Sequence, residues 1–373
     1  MKIIVDLRAL TGDRISGVKI YLENVLAEIF RQDKKNTYFL WFNSATEKFP
    51  DLKIPRSPRF KRIHTRFSNR KLNFKLGLFG SPALDELVLA ADNRKEKVDI
   101  FWLPDPRPVA LSENCKLVAT IHDLSPTRFP RFFSPKTRAW HKLLNPKKIA
   151  QAADKILAVS NFTKSELEDF WKIPAEKISV TPLAVKISRT KIRPKNLPRR
   201  FILALSTLEP RKNLKMLIHA FTEFKKENKS DVELVIAGGL DRKIFANPKL
   251  YKRPGIRFIG NVSEGEKAAL FSEAEVFCFP SLYEGFGLPP LEAALAGAPV
   301  LAADIPPLRE VLGKAAQFLP AKNVDAWRVA LAKILADKKL RTKMSAAGKA
   351  RARKFSWEST AKKTVKVFED AVK

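Results

Sequence analysis

The chain contains two successive series of short apolar runs, and helical patterns separate several of the runs. Apolar runs without polar alternation are typical of parallel strands that are buried on both faces. The first series ends before Lys186–Arg200, a segment rich in Lys, Arg and Pro, and the second begins at Phe201. A pattern that restarts in this way predicts two doubly wound α/β domains in tandem. The predicted strands are Ile3–Leu7, Tyr38–Phe42, Ile100–Leu103, Leu117–Ile121, Ile156–Val159, Ile178–Thr181, Phe201–Ser206, Val232–Ala237, Ile256–Ile259, Val276–Phe279 and Val300–Ala302.

A length of 373 residues agrees with two domains, since it exceeds the usual size of a domain with a single hydrophobic core. No apolar run approaches the roughly 20 residues that span a bilayer. The N-terminus reads directly into a strand, which leaves no room for a secretory signal. Cys115 and Cys278 are the only cysteines and both lie in apolar stretches, so we expect a reducing interior and neither a disulfide framework nor a metal site.

The charge of the chain is unusual. A formal net charge of +31 predicts a polyanionic partner, namely nucleic acid, an anionic membrane or a phosphorylated substrate. Residues 52–84 contain nine Lys or Arg and no acid, with Phe60, Phe67, Phe74 and Phe79 between them. This basic stretch fits a solvated surface, a membrane interface or a nucleic-acid face. Cations interleaved with apolar side chains favour an anionic membrane.

The most informative segment is Pro280-Ser-Leu-Tyr-Glu-Gly-Phe-Gly-Leu-Pro-Pro-Leu-Glu292. It follows a predicted strand and precedes a helix, at the edge of a parallel sheet where such folds bind ligands. Gly285 and Gly287 allow backbone amides to approach an anion closely, and the helix dipole favours negative charge there. Glu284 and Glu292 can each hold a pair of sugar hydroxyls. The alternative is a tight turn with one acid at a helix start.

This segment resembles the E-x(7)-E signature of retaining glycosyltransferases of family four. Other segments resemble the same family in the same order along nearly the whole chain: Val118-Ala-Thr-Ile-His-Asp-Leu124, Ile156-Leu-Ala-Val-Ser-Asn-Phe-Thr163, Val180-Thr-Pro-Leu183, Ser206-Thr-Leu-Glu-Pro-Arg-Lys-Asn213, Phe258-Ile-Gly-Asn-Val262 and Phe355-Ser-Trp-Glu358. The resemblance implies the GT-B architecture, in which two Rossmann-like domains face each other across a cleft and a C-terminal helix packs back toward the N-domain. We expect an acceptor-binding domain at 1–187, a linker at 188–199, a nucleotide-sugar domain at 200–354 and a returning helix at 355–373.

The resemblance also assigns roles in the donor site. Arg211 and Lys212 follow a strand and a Pro turn and would stabilise the donor diphosphate, although a solvated helix start is the alternative. No suitable loop carries a D-x-D motif, so we expect no metal. Glu284 would hold sugar hydroxyls and Glu292 the ribose. The remaining donor contacts would come from backbone amides of Gly285, Phe286, Gly287 and Leu288.

Further contacts are implied outside that segment. His122 ends an apolar strand and would contact hydroxyls of the transferred sugar, with Asp123 orienting its ring. Gly17 would bring backbone amides close to the donor or acceptor, although Lys19 departs from the family pattern. Asn261 and Val262 would touch the nucleotide base through backbone groups.

The sequence therefore predicts a retaining, metal-independent hexosyltransferase of the mannosyltransferase-like branch. We expect no cofactor besides the nucleoside-diphosphate sugar, with GDP-mannose as donor and a glycan or polyprenol-linked acceptor. We expect the protein in the cytoplasm at the inner face of the cell membrane, bound through its basic N-domain, with no nucleic-acid partner. The alternatives are a nucleic-acid- or anionic-surface-binding protein on a tandem Rossmann scaffold, or another enzyme of this architecture, such as an epimerase or a phosphorylase.

Overall fold

The computed structural model describes residues 1–10, 17–45, 52–93, 96–239 and 253–373. These residues form two compact units. The first unit contains Met1–Pro126, Pro135–Leu183 and Trp357–Lys373, and the second contains Thr127–Ser134 and Ala184–Ser356. The second unit therefore interrupts the first along the chain.

The first unit is built on a seven-stranded parallel sheet in the order β3-β2-β1-β4-β5-β6-β7. The chain adds strands to one side of β1 and then, from β4 onward, to the other, so the switch point lies between β1 and β4. The strands are β1 (Lys2–Asp6), β2 (Thr37–Asn43), β3 (Phe60–Thr65), β4 (Ile100–Leu103), β5 (Lys116–Ile121), β6 (Lys155–Ala158) and β7 (Ile178–Val180).

Helices pack against this sheet because their apolar residues recur on one face. The helices of the unit are α1 (Gly17–Gln32), α2 (Asn69–Phe79), α3 (Leu84–Ala90), α4 (Ser125–Arg128), α5 (Pro135–Leu144), α6 (Pro146–Ala152) and α7 (Asn161–Trp171). Of these, α5 has no buried residue and contacts α2. The last helix of the chain, Trp357–Ala371, also belongs to this unit. It packs against α1, β5 and β6, and the ring centroid of Phe368 lies 5.4 Å from that of Trp102.

The second unit has a six-stranded parallel sheet in the order β10-β9-β8-β11-β12-β13. This is the strand order of a dinucleotide-binding Rossmann domain, with its switch point between β8 and β11. The strands are β8 (Phe201–Leu205), β9 (Glu233–Ala237), β10 (Ile256–Gly260), β11 (Val276–Phe279), β12 (Val300–Ala303) and β13 (Ala316–Leu319). The helices are α8 (Leu214–Glu227), α9 (Glu264–Glu273), α10 (Leu288–Ala296), α11 (Pro306–Leu312), α12 (Val324–Ala336) and α13 (Lys338–Ala352), and the returning helix Trp357–Ala371 is α14.

The predicted α/β class is confirmed in both units, but the strand prediction missed β3 and β13. Both are edge strands, which bury less of their surface and carry a weaker apolar signal. β3 contains Lys61 and Arg62 and lies inside the basic stretch 52–84, so that stretch is partly sheet. No described helix is both long enough and apolar enough to cross a membrane.

Candidate active site

Two loops meet at the switch point of the second sheet. The loop after β8 contains Arg211 and Lys212, and the loop after β11 contains Glu284. Because β8 and β11 are parallel neighbours, their carboxyl ends lie side by side. The backbone N–H of Leu282 donates to the carbonyl oxygen of Arg211 at 2.8 Å, which joins the two loops directly.

Glu284 lies at the centre of an ion cluster formed by these loops. Its Oε1 accepts hydrogen bonds from Lys212 Nζ at 2.5 Å and from Ser281 Oγ at 2.6 Å. Its Oε2 accepts a hydrogen bond from Arg211 Nη1 at 3.2 Å. Arg211 Nη2 donates to Glu209 Oε1 at 2.7 Å. The cluster therefore holds two cations and two carboxylates at one sheet edge.

The charges of this cluster are interdependent. Burial raises the pKa of the Glu284 carboxyl, but attraction to Lys212 and Arg211 outweighs burial and brings that pKa below its ordinary value. Burial also lowers the pKa of the Lys212 ammonium, and the neighbouring Arg211 lowers it further. Glu284 thus stays ionised, and Lys212 is only 8% exposed. The alternative prediction for Lys212, an exposed side chain at a helix start, is therefore wrong, because this side chain is buried.

The start of α10 concentrates backbone donors next to the cluster. Pro289 and Pro290 fill early positions of the helix and have no N–H, so the backbone N–H groups of this turn belong to Gly285 to Leu288. Gly287 has φ of +98°, and a Cβ at this position would lie 2.6 Å from Leu308 Cδ2. Only glycine fits this turn without strain. Phe286 is buried, with its ring 5.7 Å from that of Phe355.

Glu292 belongs to a separate ion pair on α10. Its Oε1 accepts a hydrogen bond from Lys267 Nζ of α9 at 2.8 Å. Both residues are buried. Burial raises the pKa of the Glu292 carboxyl, and the attraction of Lys267 only partly opposes it.

Asn261 and Val262 follow β10, at the edge of the same sheet and two strands from β8. Asn261 packs closely on the end of β9, because a Cβ on Gly239 would lie 2.6 Å from Asn261 Oδ1. Both residues thus lie at the carboxyl ends of strands, where ligand-binding residues gather.

His122 belongs to the first unit, directly after β5. Its Nε2 lies 2.9 Å from the carbonyl oxygen of Pro104, and its ring packs edge-on against Tyr21. The ring is therefore oriented by Pro104 and not by Asp123, whose Oδ1 accepts hydrogen bonds from the N–H and hydroxyl of Ser125. Burial lowers the pKa of His122, so its imidazole is neutral at physiological pH.

Gly17 is the first residue of α1. A Cβ at Gly17 would meet no atom within 4 Å in the described structure. Residues 11–16 of the predicted N-terminal loop lie outside the described residues. The close-approach role of Gly17 stays a prediction.

The structure thus brings Arg211, Lys212 and Glu284 into one cluster, with Gly285 to Leu288 continuing from it. It pairs Glu292 with Lys267 in the same unit. Ser281 and Glu209 were not singled out from the sequence, although both lie inside the motif segments. Lys267 has no local signal, since it is one lysine on a helix. Among the described residues, no group of three His, Cys, Asp or Glu is placed to hold a metal ion.

Comparison with solved structures identifies the class of fold. Sucrose-phosphate synthase from Thermosynechococcus elongatus superposes with a TM-score of 0.72 and 19% identity, over 99% of this chain and 98% of that chain. At that identity the likeness shows the fold alone. The two parallel, doubly wound units form a GT-B fold of the kind found in glycosyltransferases.

Two family models match successive parts of the chain. Glycosyltransferase Family 4 matches residues 16–189, and Glycosyl transferases group 1 matches residues 187–351. O-antigen chain mannosyltransferase B of Escherichia coli is 31% identical over 68% of this chain and 70% of its own length. The MMP alpha-(1->4)-mannosyltransferase of Mycolicibacterium hassiacum is 32% identical over 69% of this chain and 66% of its own length. The chain belongs to glycosyltransferase family four.

This membership favours a glycosyltransferase over the alternatives drawn from the sequence, an epimerase or a nucleic-acid-binding protein. The matched region covers about two thirds of each of these two relatives. The roles assigned to single residues and the expected absence of a metal stay predictions.

Proposed function

We propose that the protein transfers mannose from GDP-mannose to a glycan or polyprenol-linked acceptor, with retention of configuration and without a metal. The cluster of Lys212, Arg211 and Glu284 at the switch point of the second sheet carries this proposal. The mannosyltransferase names of the two relatives support the choice of sugar.

The cluster suits the charge changes of such a transfer. The bond from the sugar C1 to the diphosphate oxygen breaks, and negative charge builds on the departing diphosphate. Lys212, which is buried, and Arg211, which is partly buried, offset that charge as two cations, whose effect is large where water is excluded. The acceptor oxygen bonds to C1 on the same face, and its proton passes to the departing diphosphate. The products are GDP and the mannoside.

Glu284 has a second task in this scheme. A carboxylate offers about four acceptor positions, and Glu284 uses three of them within the cluster. When the donor diphosphate attracts the two cations, carboxylate positions become free for sugar hydroxyls. Glu292 would accept hydrogen bonds from the ribose.

Nucleotide release tests this proposal directly. The purified protein is incubated with GDP-mannose, UDP-glucose or dTDP-glucose and an acceptor lipid extract, with and without EDTA. We expect acceptor-dependent release of GDP that EDTA does not reduce. Release of another nucleotide would correct the donor, and loss of release with EDTA would refute the metal-independent step. No release from any donor by folded protein would refute the transferase.

We also propose that the first unit binds the cytoplasmic face of an anionic membrane. Phe60 of the basic stretch is buried in β3, but four apolar side chains on and beside α2 are exposed: Phe67 (46%), Phe74 (52%), Leu78 (60%) and Phe79 (68%). α2 contacts α5, which has no buried residue, and Trp140 of α5 is 37% exposed. Neither helix contains an acidic residue.

These two helices therefore present apolar and cationic side chains together. Each exposed Leu or Phe contributes about 1.5–3 kcal/mol when it is fully buried, and each cation near an anionic leaflet contributes about 1 kcal/mol. Vesicle flotation with neutral and with anionic lipid measures the binding. We expect the protein to float only with anionic vesicles and to dissociate as salt increases. Absence of flotation with either vesicle would refute membrane binding.

A further inference from the structure

The pair of Lys267 and Glu292 links two helices at the donor side of the second unit. Lys267 Nζ lies 2.8 Å from Glu292 Oε1, and the two residues are 7% and 5% exposed. Taking two charges out of water is costly, and a buried ion pair often stabilises a fold no better than apolar residues of the same size. The pair therefore calls for an explanation other than stability.

The start of α9 is held in place from several sides, which fixes the ammonium of Lys267. Ser263 and Glu266 form a reciprocal capping box at the first turn. The N–H of Ile192 donates to the carbonyl oxygen of Gly265 at 3.0 Å, and a Cβ on Gly265 would lie 2.9 Å from Ile192 Cδ1. Lys267 Nζ also lies 3.0 Å from Glu264 Oε2. A cation anchored in this way gives Glu292 a fixed partner.

We propose that Lys267 is a positioning residue for the donor: it holds the carboxylate of Glu292 in the orientation that the donor ribose requires. This inference rests on the proposed function, in which Glu292 binds the ribose. With Oε1 fixed by Lys267, the orientation of the whole carboxylate plane is fixed. The ribose hydroxyls then meet an acceptor that is already in place, which lowers the entropy lost on binding.

Lys267 also acts on the charge of Glu292. Within the described part of the chain, the charged groups that act on Glu292 are Lys267 and Glu264, both on α9, and Glu264 repels it. The pKa of Glu292 is already raised by burial, and loss of Lys267 would raise it further. A protonated carboxyl offers fewer acceptor positions to hydroxyl donors. Without Lys267, donor affinity should therefore fall most at low pH and recover as the pH rises.

The donor KM and kcat of Lys267→Met, Lys267→Gln and Lys267→Arg, measured between pH 6 and 9, test this proposal. For Met and Gln we expect a donor KM raised about tenfold at neutral pH, the effect of about one lost hydrogen bond to a charged group. We expect kcat within about twofold of the native value and a KM that falls with rising pH. Arginine should keep most of the native affinity. A raised KM that does not depend on pH, or a loss in kcat alone, would overturn the positioning role.

Binding of GDP, measured by calorimetry, gives a readout independent of turnover and should weaken in the same variants. Lys226→Met removes an exposed lysine of the same unit that pairs with Glu223 and is the matched control, with an unchanged GDP affinity expected. Glu292→Gln distinguishes the ribose-binding role of Glu292 from the positioning role of Lys267. If Glu292→Gln binds GDP as the native protein does, the ribose assignment fails. If it binds weakly but Lys267→Met and Lys267→Gln bind normally, only the role of Lys267 fails.

Discussion

Lys212 and Glu284 are 72 residues apart in the chain, yet the Nζ of the lysine lies 2.5 Å from Oε1 of the glutamate. The distance is short because β8 and β11 are parallel neighbours, so the loops that follow them share one sheet edge. The buried carboxylate and the buried ammonium stabilise each other's charged form. The cluster proposed as the donor site therefore holds its charges in fixed positions, which is the arrangement that electrostatic catalysis requires.

Lys212→Ala should lower kcat with GDP-mannose by about 10²–10³-fold, the usual effect of removing one group that stabilises developing negative charge. The variant should also unfold more readily, because Glu284 stays buried with one cation fewer. Nucleotide release measures the first effect and thermal unfolding the second. Lys215→Ala is the control, since Lys215 is three residues further along the chain, on α8, and is exposed. Native turnover of Lys212→Ala would contradict the assignment.

Glu284 should make the protein sensitive to acid. Its pKa is below the ordinary value in the folded state, so its stabilising effect is complete above the unfolded pKa of about 4.3 and is lost as the pH falls through the folded pKa. Glu284→Gln lacks this effect. The free energies of unfolding of the two proteins, measured by denaturant titration, should differ most near neutral pH and converge as the pH falls through the folded pKa of Glu284. A difference that is constant with pH would mean that the pair does not control the ionisation of Glu284.

Gly287→Ala should disturb both stability and donor binding. Alanine at φ of +98° is strained, and its Cβ would also collide with Leu308. We expect a loss of more than about 1 kcal/mol in unfolding free energy, together with a raised donor KM. Gly313→Ala is the matched control. Gly313 also has a positive φ, of +54°, but a Cβ at Gly313 would lie 3.7 Å from the nearest atom, Arg351 Nε, and would not collide. Equal effects of the two substitutions would show that the contact with Leu308 is unimportant.

The exposed apolar residues of α2 should control membrane binding. Replacing Phe74, Leu78 and Phe79 together with Ser should abolish flotation with anionic vesicles, because about 1.5 kcal/mol or more of apolar burial is lost for each. Turnover with a water-soluble acceptor should stay within about twofold of the native rate. Val329→Ser is the control, since Val329 is similarly exposed on the second unit. Unchanged flotation of the triple variant would leave only the cations as the basis of binding.

The sequence predicted the sheets well because buried parallel strands are continuous apolar runs. Val276–Phe279 was predicted with the ends that the structure has, and Ile100–Leu103 likewise. The edge strands β3 and β13 were not predicted, because their exposed sides tolerate charged and polar residues. Lys61 and Arg62 made Phe60–Thr65 look like a surface segment.

The sequence predicted which residues belong to the candidate site, but it did not predict the hydrogen bonds between them. Arg211, Lys212 and Glu284 were identified by motif, but their mutual hydrogen bonds depend on which strands are neighbours, which no local pattern contains. The hydrogen bond between His122 and Pro104 could not be predicted for the same reason, because it depends on β4 and β5 being neighbours. Lys267 could not be found at all, because a lysine on a helix is distinctive only when its partner on α10 is known.

The returning helix α14 has a consequence for biosynthesis. Its Phe368 is fully buried in the first unit, yet it follows all of Ala184–Ser356 in the chain. The ribosome therefore synthesises every strand and helix of the second unit before it adds the last helix of the first unit. Since domains generally fold as units during synthesis, the half that starts first should be the last to mature. Until α14 is made, Trp102 lacks its contact with Phe368.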